Sequence, residues 1–140
     1  PTATEFAARY TGAKSVADAH DVPMITLPTH LAPDRMAKEV ASHIDQHAGA
    51  IDGIFAATDI LAMVCLAELA GRQIAVPDDI RVVGFDDLPL AEQTAPPLTT
   101  VRQDIRAGAF GMVDLLLRRL AGEETESLVM QPELIVRQSA

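Results

Sequence analysis

The chain has 140 residues, of which 49% are hydrophobic, with one cysteine and a formal net charge of -9. That is one domain's length with enough apolar residues to fill a core, and the charge opposes direct binding to DNA, where Lys and Arg must neutralise phosphates. No apolar run reaches the roughly 18 residues of a membrane span, and Pro1 to Glu5 lacks the basic and apolar regions of an export signal, so a cytoplasmic protein is expected.

Glu5 to Ala19 carries apolar residues at mixed helical spacing and is stopped by His20 to Pro23. Met24 to Leu27 is a short β-prone run closed by Pro28. Leu31 to His47 predicts a second helix, with Met36, Val40 and Ile44 at i, i+4 and i+8 on one face. A strand over Ile54 to Ala57 follows Asp52-Gly53. Thr58 then offers an N-cap and Asp59 a first-turn acid for a helix from Ile60 to about Ala70, ended by Gly71. After the turn Pro77-Asp78-Asp79, Ile80 to Phe85 predicts a strand that stops at Asp86-Asp87 and gives way to a Pro-rich loop from Leu88 to Leu98. Thr99 to Val101 is extended, Asp104 to Leu120 is an amphipathic helix, Gly122 to Ser127 is a polar turn, and two β-prone runs, Leu128 to Met130 and Glu133 to Val136, close the chain around Pro132.

Alternating strands and helices at this spacing predict an α/β fold, a Rossmann-like parallel sheet with helices on both faces. Ligands bind such sheets beyond the carboxyl ends of the strands, which puts Thr58-Asp59 and Asp86-Asp87 at one rim. Cys65 lies in an apolar helical stretch and is expected to be a buried, reduced thiol. His43 and His47 share a helix face but have no accompanying third ligand, so no metal site is expected, and no phosphate loop, nucleophile elbow or cofactor motif occurs.

Three stretches occur in order: Asp52-Gly-Ile-Phe-Ala-Ala-Thr-Asp59, Val76-Pro-Asp-Asp-Ile-Arg-Val-Val-Gly-Phe-Asp-Asp87 and Pro96-Pro-Leu-Thr-Thr-Val-Arg-Gln103. With Arg9-Tyr-Thr-Gly12 and Pro132 to Arg137 they make the chain resemble the C-terminal part of the effector domain of lactose-repressor (LacI/GalR) family transcription regulators. The resemblance implies a periplasmic-binding-protein-like fold truncated at its N-terminus. Residues 1–102 would be the C-terminal lobe without its first strand, 103–127 the crossover helix and turn of the N-terminal lobe, and 128–140 the returning strands. A sheet so truncated would expose an edge and be marginal or pair with another copy.

The function implied is sensing of a sugar or related small metabolite that controls repression, with operator DNA met only through a headpiece outside this chain. A periplasmic sugar-binding protein of a transport system is the alternative, and a hydrolase using Asp59 and Asp86 is a remote one. The effector-binding residues implied are Arg9, Thr58, Asp86 and Ile105. Asp86 would accept paired hydroxyls and Arg9 would present a rigid fork of donors, its competing role being an ion pair with Glu5. Thr58 departs from the Asn found in many family members, and Ile105 stands where sugar-binding relatives place an aromatic ring. Asp87 is expected to be structural. The helix after Thr58 is apolar nearly all round, and the resemblance implies a homodimer with Met63, Leu66 and Thr94 at its interface.

Overall fold

The computed structural model describes residues 4–30 and 32–140, and the side chains of Thr4 and Glu5 are not among those described. The sheet has four strands in the order β1 (Gly53–Phe55), β2 (Arg81–Phe85), β3 (Thr99–Arg102), β4 (Glu133–Ile135). β1 pairs with β2 and β2 with β3 in parallel, while β4 runs antiparallel to β3, with Val101 opposite Leu134. The parallel part needs crossover connections, and the chain supplies them: α3 (Asp59–Gly71) lies between β1 and β2, and a 3-10 turn, Pro89–Gln93, lies between β2 and β3. The returning strand expected at Glu133 is present. It shortens to three residues and adds the only antiparallel pairing among the described strands.

The core follows from two apolar stripes. α2 (Pro33–His47) buries Met36, Val40 and Ile44, the predicted i, i+4, i+8 face, against α3, which buries Ala62, Cys65, Leu66 and Leu69. Leu31, placed at the start of this helix by the sequence, lies outside the described residues. Val82, Gly84 and Leu98 meet the same helix from the sheet. α3 is therefore covered on one side by strands and on another by α2, while Ile60 stays 51% exposed and Met63 half-buried. Arg72, at its C-terminal end, donates to Asp45 at 2.6 Å, to Glu68 at 2.6 Å and to the Ala41 carbonyl at 3.3 Å, fixing α3 to α2. Cys65 is a free, buried thiol whose pKa burial pushes up to about 12. It stays protonated and inert at neutral pH.

Two expected strands are absent among the described residues. Met24–Leu27 and Leu128–Met130 are β-prone in composition, but a strand exists only through a partner's ladder, and neither run has one. Leu128 and Met130 instead lie against α4 (Ile105–Leu120), where Gly108 and Gly111 leave room. A Cβ on Gly111 would stand 2.5 Å from a Leu128 methyl, and one on Gly108 3.2 Å from the Met130 sulfur. α1 (Thr4–Ala19) presents half-buried Phe6, Arg9, Ala13, Lys14 and Ala17 and is exposed at its other described side chains.

The end of the chain is stitched into the sheet by one hydroxyl. Ser139 is fully buried, donates to the Val82 carbonyl at 2.6 Å and accepts from the Thr99 amide at 2.8 Å, while its own carbonyl accepts from the Val82 amide at 2.7 Å. Replacing Ser139 by Ala leaves a buried donor and a buried acceptor unpaired, at roughly 1–3 kcal/mol. Urea unfolding of Ser139→Ala is expected to show a lower midpoint at unchanged slope, and an unchanged midpoint would mean the stitch contributes nothing.

Candidate functional site

The rim at the carboxyl ends of β1 and β2 gathers the charged residues. Thr58 caps α3, its hydroxyl accepting from the Leu61 amide at 3.2 Å. After β2 the chain turns through two consecutive residues with positive φ, Asp86 at 116° and Asp87 at 51°. Such angles are sparsely populated for residues other than glycine, with Asp among those that tolerate them best. The turn sends the two carboxylates to different surroundings.

Asp86 meets Arg9. The guanidinium of Arg9 donates to an Asp86 carboxylate oxygen at 3.3 Å and to the Ala57 carbonyl, and its carbon lies over the Phe85 ring at 3.8 Å from the centroid. Ring stacking and a carbonyl acceptor hold the fork in one orientation, which a flexible surface arginine lacks. Arg9 thus engages Asp86 across 77 residues of sequence. Gln103 also reaches Asp86, its amide nitrogen 3.5 Å from the same oxygen. Burial pushes the Asp86 carboxyl above its ordinary value, and the opposing charge of Arg9 offsets this only in part.

Asp87 has the opposite environment. One of its oxygens accepts from Arg137 at 2.8 Å and the other from Arg102 at 2.6 Å, and its side chain is 9% exposed. Burial alone would raise its pKa, but the hydrogen bonds and charges of Arg137 and Arg102 outweigh that and hold it below the ordinary value. Arg137 further donates to the Leu98 carbonyl at 2.8 Å and to Glu92 at 3.1 Å. This network ties the loop after β2 to β3 and β4, matching the structural role expected of Asp87.

A groove of about 670 Å³ runs between α4 and the segment from Ser127 to Pro132, with Phe85, Gln103 and Ile105 in its wall. Arg9, Thr58 and Asp86 lie outside that wall, but Phe85 belongs to both places, stacking under Arg9 and facing the groove. Ile105 is 71% exposed at the first turn of α4. The structure thus brings Arg9 and Asp86 together, keeps Thr58 at the same rim as a helix cap, and leaves Ile105 on the groove side. Phe85 and Gln103 were not singled out as site residues from sequence, although each lies within a quoted motif. Strand alternation was the available signal for Phe85, since it places this ring on the face opposite buried Gly84. Of the residues expected at a dimer interface, Leu66 is enclosed by the chain's own core. Met63 and Thr94 are half-buried, and the Thr94 hydroxyl donates toward the Ala91 and Pro96 carbonyls.

A mainly parallel sheet flanked by helices, with polar and charged side chains at its strand ends, defines the class: an α/β domain of the Rossmann-like kind. Comparison with known proteins agrees. The periplasmic binding protein-like domain model matches residues 1–140. The transcriptional regulator CelR of Thermobifida fusca is 40% identical over 91 residues, covering 64% of this chain and 27% of the relative. The ribose operon repressor of Halalkalibacterium halodurans is 32% identical over 135 residues, covering 94% of this chain and 40% of the relative. Among solved structures, a CelR–cellobiose complex superposes with a TM-score of 0.82 at 31% identity, covering 94% of this chain and 42% of that one. A LacI family regulator from Enterococcus faecium with bound ribose gives 0.82 at 29% identity, covering 96% and 51%. The chain belongs to the periplasmic-binding-protein-like domain family, in its lactose-repressor branch, and it spans about half or less of the relatives it matches.

The opposite shifts of Asp86 and Asp87 have a measurable sign. Asp87, with its folded pKa lowered, contributes stability that is present above its unfolded value near 3.9 and lost as pH falls through the folded value. Asp86, with its folded pKa raised, does the reverse, its ionised form being the less favourable one in the fold. At pH 7, Asp87→Asn is expected to cost roughly 1–3 kcal/mol, because the largely buried Arg137 and the half-exposed Arg102 lose the opposing charge and one of their two acceptor oxygens, whereas Asp86→Asn is expected to be neutral or stabilising. Chemical denaturation of both variants at pH 7 checks this, and equal losses would contradict the division of roles.

Proposed function

We propose that this chain is the effector-sensing part of a lactose-repressor-type transcription regulator, and that the ligand is a neutral sugar or similar polyol held in part by Asp86 and Arg9. The observation that carries the reading is the Arg9–Asp86 pair itself: a donor fork, braced by Phe85 and the Ala57 carbonyl, beside an acceptor carboxylate at the strand ends. A sugar hydroxyl donates to a carboxylate while a neighbouring hydroxyl accepts from a guanidinium, so adjacent hydroxyls satisfy both groups together. Gln103 adds an amide at the same oxygen, and Ile105 with Phe85 offers apolar surface to a sugar ring. Thr58 contributes as the N-cap that starts α3 at the rim.

The relatives named above are regulators, one structure holding cellobiose and another ribose, which supports sensing over transport. The role is binding without turnover. The one thiol is buried and protonated, the Ser139 hydroxyl is locked into the sheet, and Asp87 is consumed by two arginines. In this reading residues 1–102 belong to one lobe, 103–127 cross to the other and 128–140 return. Closure of the lobes on the ligand would bias the geometry of a homodimer in the cytoplasm, with Met63 and Thr94 near the contact, and operator DNA would be met through a separate headpiece.

Isothermal titration of the full-length protein with cellobiose, lactose and ribose tests the reading. At least one sugar is expected to bind the wild type, and Asp86→Ala or Arg9→Ala is expected to weaken it tenfold or more, as loss of a hydrogen bond to a charged group, about 1.5–3 kcal/mol, implies. Unchanged affinity in both variants would remove the pair from the site.

A further inference from the structure

The carboxylate that the fold buries most completely is not at the end of β2 but at the start of α3. Asp59 has no exposed surface. An acid whose only task is to complement a helix N-terminus gains nothing from burial, since the first turn is open to solvent and desolvating the charge is costly. Among the described residues Asp59 has no cationic partner. Its partners are a backbone amide and a hydroxyl from two other elements: one oxygen accepts from the Leu88 amide at 2.7 Å, and the other accepts from the Thr100 hydroxyl at 2.5 Å.

Both contacts converge on the turn that presents Asp86. Leu88 is the residue directly after the two left-handed aspartates. Thr100, fully buried on β3, accepts from the Asp87 amide at 3.4 Å through the same oxygen that donates to Asp59. The two amides that follow Asp86 are thus held by Asp59, one directly and one through Thr100. Strained backbone persists where its surroundings over-determine it, and this is the device that does so here. Gly84 is part of the same arrangement. A Cβ at that position would stand 2.3 Å from the Asp59 carboxylate and 3.0 Å from a Leu98 methyl, so only glycine lets α3 approach β2 closely enough for Asp59 to reach over the sheet.

We propose that Asp59 is the positioning residue of the effector site: its buried carboxylate clasps the Leu88 amide and the Thr100 hydroxyl, and so holds the Asp86–Asp87 turn in the left-handed conformation that aims Asp86 at Arg9. This rests on the reading of Asp86 as a ligand contact, but its structural half stands alone. Gly84→Ala displaces Asp59 without touching any group of the site and should act as Asp59→Ala does. Asp59→Asn keeps an acceptor for the Leu88 amide and offers a donor to Thr100, and should restore most of what Asp59→Ala loses.

The test combines two measurements on the full-length protein and on Asp59→Ala, Asp59→Asn, Gly84→Ala and, as a control on α2, Val40→Ala. Titration with cellobiose, lactose and ribose is made at a temperature where circular dichroism shows each variant folded, and amide hydrogen exchange is read at residues 86–88. Asp59→Ala and Gly84→Ala are expected to lose tenfold or more in sugar affinity together with protection at Leu88. Asp59→Asn is expected to recover both, and Val40→Ala to be less stable yet bind as wild type. Full protection of the Leu88 amide in Asp59→Ala overturns the proposal, as does an affinity loss no greater than that of Val40→Ala. If Asp59→Ala does not fold, Thr100→Val, which removes only the relay, takes its place, with loss of protection at Asp87 expected and retention overturning the idea. Should none of the three sugars bind the wild type, the functional reading fails and exchange at residues 87 and 88 alone decides the role of Asp59.

Discussion

The chain leaves β2 through two left-handed residues in succession, and the rest of the site depends on that bend. A regular strand would alternate its side chains across the sheet and carry them on past the rim. Two positive φ angles at Asp86 and Asp87 instead stop the strand, turn the following amides inward and separate two adjacent carboxylates. Left-handed backbone costs on the order of 1–3 kcal/mol per residue where neighbours do not relieve it. What offsets it here is hydrogen bonding from three directions: the Val101 carbonyl accepts from the Asp86 amide, Thr100 from the Asp87 amide and Asp59 from the Leu88 amide.

From that bend the division of labour follows. Asp87 is paired by Arg102 at the end of β3, which leads into α4, and by Arg137 just past β4, so the residue next to the ligand candidate is bonded at the flanks of both strands of the antiparallel pair. Arg102 also approaches Glu133 at 3.6 Å, closing a charged cluster over the antiparallel pair β3–β4. A shift of the turn by a fraction of an ångström would be felt at these joints through short charge-assisted contacts rather than through soft side-chain packing. Asp86, one residue earlier, has a single looser pairing with Arg9 at 3.3 Å. The tight contacts are structural, and in the proposed function the loose one is the pair that meets the ligand.

Much of this was legible in the sequence, and the limits have physical causes. The α2 stripe, the Thr58 cap, the strand ending at Phe85 and a strand just before Thr58 depend on local periodicity, capping and turn chemistry, which neighbouring residues encode, although that last strand stops at Phe55 and not at the Ala57 expected. Met24–Leu27 and Leu128–Met130 failed as strands because composition describes a residue's fitness for a ladder and not whether a partner exists. Leu66 was ambiguous because an apolar helix face looks the same whether α2 or a second molecule covers it. Asp59 was hidden for the same kind of reason: an acid in a first turn looks like a dipole partner, and its contacts lie 29 and 41 residues away. Arg9 and Asp86 became candidates through their motifs, while their contact depends on α1 crossing the strand ends.

Charge also argues for the kind of ligand. Arg9, the one cation paired with Asp86 among the described residues, faces a carboxylate whose ionised form is already disfavoured by burial, and a second carboxylate, Asp59, lies behind it within electrostatic reach. A phosphate or carboxylate ligand would gain Arg9 only by approaching two negative charges in a partly desolvated corner, where their repulsion is weakly screened. A neutral hydroxyl reverses the balance. It donates to Asp86, replaces hydration that burial removed, and asks Arg9 only for a hydrogen bond. In the proposed reading, the same burial that disfavours ionised Asp86 favours a polyol over an anion and places the selectivity in the carboxylate more than in the arginine.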